Sequence, residues 1–339
     1  MPRLLFVGLA TVDLIYRVDR IPGVDEKAQA SGVEIAAGGP ATNAAVTAAA
    51  LGAEVTLVTA VGAHPLGDLI RSDLETCGVR VIDASPDSST PPPVSAITVL
   101  AGTGQRTIVS RNAGDMVVRV PQAGLPDADL TLVDGHHPAL AVAAARSARR
   151  LVVDAGTWRP VFADILPFAE VVAASAAFRH PAEAAPVDEA LAAAIGAPHV
   201  VVTHGPDPVR WFSRARSGGE SDARSGGSSG TRSGTRSGTR SGTRSGGRSG
   251  TRSGGRSDDR FGGSSGGSSG AVEVPAVEAI DTAGAGDAFH GALAVALAGA
   301  ALPAGADLPE AIAFAAWVAG VRVSCSGPRA WLAALPQRA

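Results

Sequence analysis

"AAGGPATNAAVTAAALGAEVTLVTAVG", residues 36–62, carries a whole structural unit in one line. Gly38 and Gly39 make a turn, a short polar segment runs to Asn43, and a stretch of strong helix formers follows as far as Gly52. "EVTLVTAVG" is then a β-branched strand closed by another glycine. Upstream, "RLLFVGL" is an apolar run of strand length. Downstream, "PLGDLIRSDLETCG" is an amphipathic helix stopped at Gly78.

The alternation continues. "LTLVDG", "RLVVDAG", "AEVVAAS" and "PHVVVTHG" are short strands ending at polar or glycine turns, with helical stretches such as "PALAVAAARSARR" between some of them. Near-continuously apolar strands alternating with helices predict an α/β fold, a central and mostly parallel sheet with helices on both faces. Two segments break the rhythm. "EKAQASGVEIAAGG" and "PPVSAITVLAGTGQRTIVSRNAG" alternate polar and apolar residues as a half-exposed sheet would. They place a small β lid, over segments of about 12–38 and 90–113, at one edge of a single domain spanning residues 1–339.

Composition narrows the function. The net charge of −3 implies neither nucleic acid nor membrane, and no run of about 18 uncharged apolar residues reads as a membrane span. "MPRLLFVGLATVDLIYRVD" reads as a first strand and not as a signal peptide. Cys77 and Cys325 stand far apart in no metal-ligand spacing, which fits a reduced cytoplasm and offers no zinc site. Lys27 is the only lysine, and it lies in neither a P-loop nor a protein-kinase strand motif. A nucleotide phosphate would have to be held by backbone amides and arginines.

Residues 214–270 stand apart, and within them "SGTRSGTRSGTRSGGRSGTRSGGRS" is a near-tetrapeptide repeat with no apolar residue to bury, the expected composition of a flexible insert. Its eleven arginines and four acids give a net charge of +7, so the rest of the chain carries −10. Such a tract can touch RNA or another polyanion, but a solvated repeat expansion in a tolerant loop is the plainer reading.

The second decisive stretch is "DTAGAGDAFHGAL", residues 281–293. Small residues ahead of a helix let its first N–H groups approach a ligand, and the helix dipole favours negative charge there. Ala283, Gly284, Ala285 and Gly286 therefore make an anion cradle. Asp287, in the first turn, has two readings on local chemistry: a proton acceptor for a hydroxyl attacking a bound phosphate, or an acid complementing the dipole. A dinucleotide fingerprint is disfavoured because Phe289 stands where GxGxxG needs glycine.

Together the two motifs resemble the PfkB/ribokinase-like family of carbohydrate kinases, with both signatures in order and collinear strands over nearly all the chain outside the insert. The resemblance implies that Asp287 is the catalytic base and that Ala283 to Gly286 stabilise the transferring phosphoryl group. It implies that Asp13, Gly38, Gly39 and Asn43 bind a sugar, and that Thr203 and Gly205, in "VTHGPD", lie near the nucleotide. ATP is the implied phosphoryl donor and travels with Mg²⁺. Asp281 and the "CSGP" loop around Gly327 match where family members often bind a monovalent cation such as K⁺. Arg111 and Asn112 end a lid strand and face either the substrate or solvent.

The departures are as informative. Where the family often has an N-x-x-E motif that organises Mg²⁺, this chain has "AASAAF", with Ser175 and Phe178 in those places. Ser175 is kept as a nucleotide-side residue, Glu183 is too far along to replace the acid, and Mg²⁺ has no assigned protein ligand. The loss resembles the ketohexokinase-like and sulfofructose-kinase-like branches. "GAHPLGD" also departs from the usual acidic GDDxxG form. In "DGHHP", His136 and His137 read as exposed loop histidines, with a substrate contact as the alternative. The implied activity is an ATP-dependent sugar kinase, cytoplasmic and able to form a homodimer through the lid. A nucleoside kinase on the same fold and a non-catalytic sugar- or nucleotide-binding regulator are the alternatives.

Overall fold

The computed structural model describes residues 1–113, 116, 118–214, 267–299 and 308–335. Its main sheet runs, from one edge to the other, β13 (Ser268–Val272), β12 (Asp207–Ser213), β11 (His199–His204), β10 (Val171–Ser175), β9 (Leu151–Ala155), β8 (Leu130–Val133), β1 (Arg3–Val7), β4 (Glu54–Thr59) and β5 (Val79–Asp83). The strands from β11 to β5 are parallel to their neighbours, and β12 and β13 add an antiparallel hairpin at one edge. Ser268 to Gly270, placed in the insert on composition, belong to β13 and pair with Trp211 to Ser213 of β12. Backbone pairing along an edge strand needs no apolar side chain, so composition alone could not reveal it. Residues 215–266 of the insert lie outside the described residues.

Side chains on successive strand residues enter opposite cores, as the two-residue period requires. Leu4 and Phe6 of β1 join the core on one face, with α1 (Pro40–Ala50), α2 (Pro65–Thr76), α6 (Ala285–Gly299) and α7 (Leu308–Val323). Leu5 and Val7 join the other, with α3 (Pro138–Ser147), α4 (Phe162–Ile165) and α5 (Asp188–Ile195). Both faces are covered, so the parallel strands read as continuous apolar runs in the sequence.

A second sheet, β3 (Gly32–Gly38), β2 (Thr11–Val18), β6 (Val94–Leu100) and β7 (Arg106–Ser110), forms the lid. Its hairpin turn docks back on the main body, where Thr282 donates its N–H and its hydroxyl to the Gly104 carbonyl at 3.3 and 3.0 Å. The strand order reverses at β1, which lies between β4 and β8. Open α/β sheets bind ligands at such a switch point, beyond the carboxyl ends of the strands.

Two helices end there because their contact is built from small residues. Ala41, Ala44, Ala45 and Ala48 of α1 share a core with Ala288 and Ala292 of α6. A β-carbon on Gly291 would lie 2.3 Å from the Ala44 carbonyl oxygen, so the helix backbones approach more closely than side chains permit. Among the described residues, no helix is long and apolar enough to cross a membrane.

Candidate active site

A cavity of about 410 Å³ opens at the carboxyl end of the main sheet, within the usual size range of small-molecule sites. Asp154, Gly156, Ser175 and Thr203 border it from the ends of β9, β10 and β11. The inner face of the lid covers it with Asp13, Ile15, Ser95, Ile97 and Ser110. Beneath lie the N-termini of α1 and α6, bringing Gly39, Asn43, Gly284, Gly286 and Asp287 to the same wall.

Asn43 and Asp287 meet there, with Asn43 Nδ2 donating to Asp287 Oδ2 at 2.8 Å. Burial pushes the Asp287 carboxyl up to about 6, and the negative charge of Asp154 adds to the rise; the Asn43 hydrogen bond and the charges of His290 and Arg106 oppose it. His290, one helical turn along α6, lies with Nδ1 3.0 Å from Asp154 Oδ2 but out of line for a good hydrogen bond. Burial opposes charge on this imidazole, and the neighbouring Asp154 and Asp287 outweigh it, raising its pKa. The first-turn N–H groups of α6 have no carbonyl one turn earlier to bond, so they remain available to a ligand.

Asp13 hangs from β2 into the cavity, its Oδ1 accepting from the Thr11 hydroxyl at 2.6 Å. Burial raises its pKa against the Thr11 and Ser95 hydroxyls and the charge of Arg329. Gly38 lies behind it, where a β-carbon would sit 1.9 Å from Asp13 Oδ2. Gly39 turns into α1 at φ 102°, a conformation natural only to glycine, with the Leu9 carbonyl 2.4 Å from where its β-carbon would be. The two glycines therefore do different work: one makes room for the acid and the other starts the helix.

Asp281, Gly38, Ala285 and Gly205 do not border the cavity, while Asp13, Gly39, Asn43, Ser175, Thr203, Ala283, Gly284, Gly286 and Asp287 do. Asp281 is fully buried beneath the cradle, accepting the Ala283 N–H on Oδ1 at 3.0 Å and the Gly327 N–H on Oδ2 at 3.2 Å. Arg322, which borders the cavity, and Arg17 each bring an Nη2 to 3.5 Å from Asp281 Oδ2.

The family model for the "pfkB family carbohydrate kinase" matches residues 1–225 and 260–334. The chain belongs to the pfkB family of carbohydrate kinases. It is 36% identical over 89 residues to the ATP-dependent ribose-1-phosphate kinase of Halopiger xanaduensis, covering 25% of this chain and 30% of that one. It is 31% identical over 115 residues to the ribokinase of Bacillus subtilis, covering 34% and 39%. The matched stretches thus span about a third of each relative. The ribokinase structure of Giardia lamblia superposes with a TM-score of 0.67 over 98% of this chain and 96% of that one, at 20% identity, a likeness of fold.

At the position of the family's N-x-x-E motif this member departs from the pattern. Ser175 Oγ donates to the Gly156 carbonyl at 2.9 Å. Phe178 is fully buried, packed edge-on against Phe162 with centroids 5.6 Å apart and beside Trp158 at 5.9 Å. An aromatic cluster thus fills the place of an acid, and these residues do not fit a magnesium ligand set. Among the described residues, no group of three or more His, Cys, Asp or Glu side chains is arranged to hold a metal.

The two loop histidines are not exposed. His137 is 3% exposed, and His136 borders the cavity with Nδ1 3.1 Å from Asp134. The cause is Asp134, buried at the strand switch point, which accepts the N–H groups of Leu9, Ala41 and His136. These bonds and the His136 charge hold its carboxyl well below the usual range despite burial, and they fold the turn inward. Asn112 borders the cavity, whereas Arg111 lines a separate depression with Pro91 to Pro93. Asp134, Asp154, His290, Arg106, Arg322 and Arg329 were absent from the sequence reading. An acid closing a parallel strand, as in "LVDG" and "VVDAG", and a lone histidine in an Ala-rich helix were the available signals.

Proposed function

We propose that this chain is an ATP-dependent kinase that transfers the γ-phosphoryl group to a hydroxyl of a small carbohydrate, with Asp287 as general base. The observation carrying the reading is the Asn43–Asp287 hydrogen bond, which unites the two motifs beside the N-terminus of α6. A carboxyl near 6 is ionised at neutral pH yet basic enough to take a hydroxyl proton as that oxygen attacks phosphorus. As the new O–P bond forms, the bond from phosphorus to the β-γ bridging oxygen breaks and ADP leaves. The Ala283 to Gly286 cradle, with Gly284 and Gly286 bordering the cavity, stabilises the phosphoryl oxygens during transfer through its backbone N–H groups.

Asp13 and Asn43 hold the acceptor's hydroxyls, and Thr203, Gly205 and Ser175 lie on the nucleotide side. ATP as donor is supported by the name of the Halopiger xanaduensis relative. Mg²⁺ carried by ATP would supply charge neutralisation at the phosphates, and no side chain of this chain is assigned to hold it. The deciding assay measures ADP release with ketoses, aldoses, sugar phosphates and nucleosides as acceptors. Saturable, acceptor-dependent turnover on a sugar supports the reading. Turnover confined to nucleosides would replace the substrate class, and absence of turnover with retained ligand binding would favour a regulator.

The same reading includes a homodimer through the lid. Ladder register puts Val33 beside Tyr16, and Ile35 and Val109 on the same face through Leu14 and Ala96. Tyr16, Val33, Ile35 and Val109 are all exposed on this outer face, an apolar patch suited to a self-complementary contact. Light scattering should give a dimer that Ile35→Asp converts to monomer. A monomeric wild-type chain would end this part of the proposal.

A further inference from the structure

Asp281 opens the cradle motif at the position where the family resemblance implied a monovalent cation. The oxygens such an ion would need are present: the Asp281 carboxylate and the backbone carbonyls of Asp281 and Cys325. A guanidinium already stands among them. Arg322 Nη1 donates to the Asp281 carbonyl at 3.4 Å and to the Cys325 carbonyl at 3.3 Å, while its Nη2 lies 3.5 Å from Asp281 Oδ2. Arg17 reaches the same carboxylate oxygen at 3.5 Å. Arg322 is 4% exposed and Asp281 0%.

Asp281 Oδ2 thus already faces two guanidiniums, those of Arg322 and Arg17. Another cation among these groups would be repelled by both guanidiniums. The residues do not fit an alkali cation. They fit an arginine, whose planar fork spans a carboxylate and adjacent carbonyls and whose charge is permanent.

We propose that Arg322 is the built-in cation of the phosphoryl cradle, taking the place of an exchangeable monovalent ion and freeing the reaction from any requirement for K⁺. This rests on the kinase reading above. Arg322 borders the cavity, and a β-carbon on Gly284 would lie 3.8 Å from its Nε. It therefore backs the loop whose N–H groups face the transferring phosphoryl group. As a positioning residue it ties Asp281 to the end of α7, fixing the approach to α6, and it adds positive charge where negative charge is in transit.

The test uses the full chain at constant ionic strength, with tetramethylammonium replaced stepwise by K⁺. Wild-type kcat should change by no more than about twofold, and K⁺ should not raise the unfolding temperature by specific binding. Activation beyond about fivefold, or a saturable K⁺-specific thermal shift, would overturn the proposal. Arg322→Ala should lose at least about thirtyfold in kcat, as when an oxyanion contact is removed. Added guanidinium or K⁺ should restore part of that loss, which a merely structural arginine would not permit. Undiminished turnover of the alanine variant without added cation would also overturn it. Should that variant fail to fold, Arg322→Lys keeps the charge without the fork and should stay K⁺-independent at reduced kcat; K⁺ activation of the lysine variant would count against the proposal. A wild-type chain that phosphorylates no acceptor would sink the kinase reading, while the thermal-shift measurement would still decide the cation question.

Discussion

Asn43 and Asp287, 244 residues apart in the chain, share a 2.8 Å hydrogen bond. The donor belongs to the first turn of α1 and the acceptor to the first turn of α6, so one contact reports the alignment of both helices with the cavity. Asn43 stabilises the ionised carboxylate against burial and the charge of Asp154. The wild-type acid limb of kcat/KM should therefore inflect near pH 6. Asn43→Ala removes the donor and should move that limb upward by about one pH unit, so activity falls more at pH 6 than at pH 8. An unmoved limb would mean that another group titrates.

Asp287→Asn is nearly isosteric and removes the carboxylate proposed as the proton acceptor. Turnover should fall at least about a hundredfold on the true acceptor, the scale of general-base catalysis. Stability should move the other way. The folded-state pKa of about 6 lies above the ordinary 3.8, so the folded chain holds a proton that the unfolded chain releases between them. Wild-type stability therefore falls as pH rises through that window, and the asparagine variant does not share the loss. Its unfolding temperature should equal or exceed wild type above about pH 6, with the gap closing below about pH 4. Near-normal turnover would reduce Asp287 to a charge at a helix terminus.

Gly38→Ala drives a methyl group into the Asp13 carboxyl group, whose three atoms lie 1.9, 2.2 and 2.5 Å from the added β-carbon. The Thr11 hydroxyl holds that carboxylate in place, so yielding disrupts the proposed acceptor site. Acceptor KM should rise at least about tenfold, roughly 1.4 kcal/mol, while nucleotide affinity without acceptor stays near wild type. Asp13→Ala should give the same split. Equal weakening of both ligands, measured by calorimetry, would point to a damaged fold instead.

Gly291→Ala tests whether helix packing sets the catalytic geometry. The new methyl meets the Ala44 carbonyl at 2.3 Å, and a backbone atom yields only if the helices separate. Overpacking of this kind should cost about 1–3 kcal/mol in denaturant unfolding and reduce kcat as Asn43 and Asp287 part. Gly299→Ala, in the same helix with open space around its β-carbon, is the control and should retain activity.

The sequence alone determined the alternating α/β order, because parallel strands covered on both faces are near-continuously apolar and several of the helices between them end at glycines. It also marked the two glycine-rich helix starts, Gly38-Gly39 and Gly284 to Gly286, since a backbone that approaches a ligand or makes a left-handed turn leaves few residue choices. Asn43 and Asp287 were legible as parts of those motifs and Asp13 through the family resemblance, and all three border the cavity. Tertiary structure decided the rest. Asp134 and Asp154 are ordinary acids in a linear reading, and only strand order brings one to the switch point and the other to His290. Arg322 sits in an apolar helix 41 residues beyond Asp281, and their meeting depends on how α7 packs beside the cradle. His136 and His137 were placed in solvent because a polar dipeptide after a strand usually is; a buried aspartate accepting three N–H groups turned them inward. Local patterns record what each residue does to its own backbone, whereas charges and hydrogen bonds act through space, so contacts between distant segments exist only once the chain has folded.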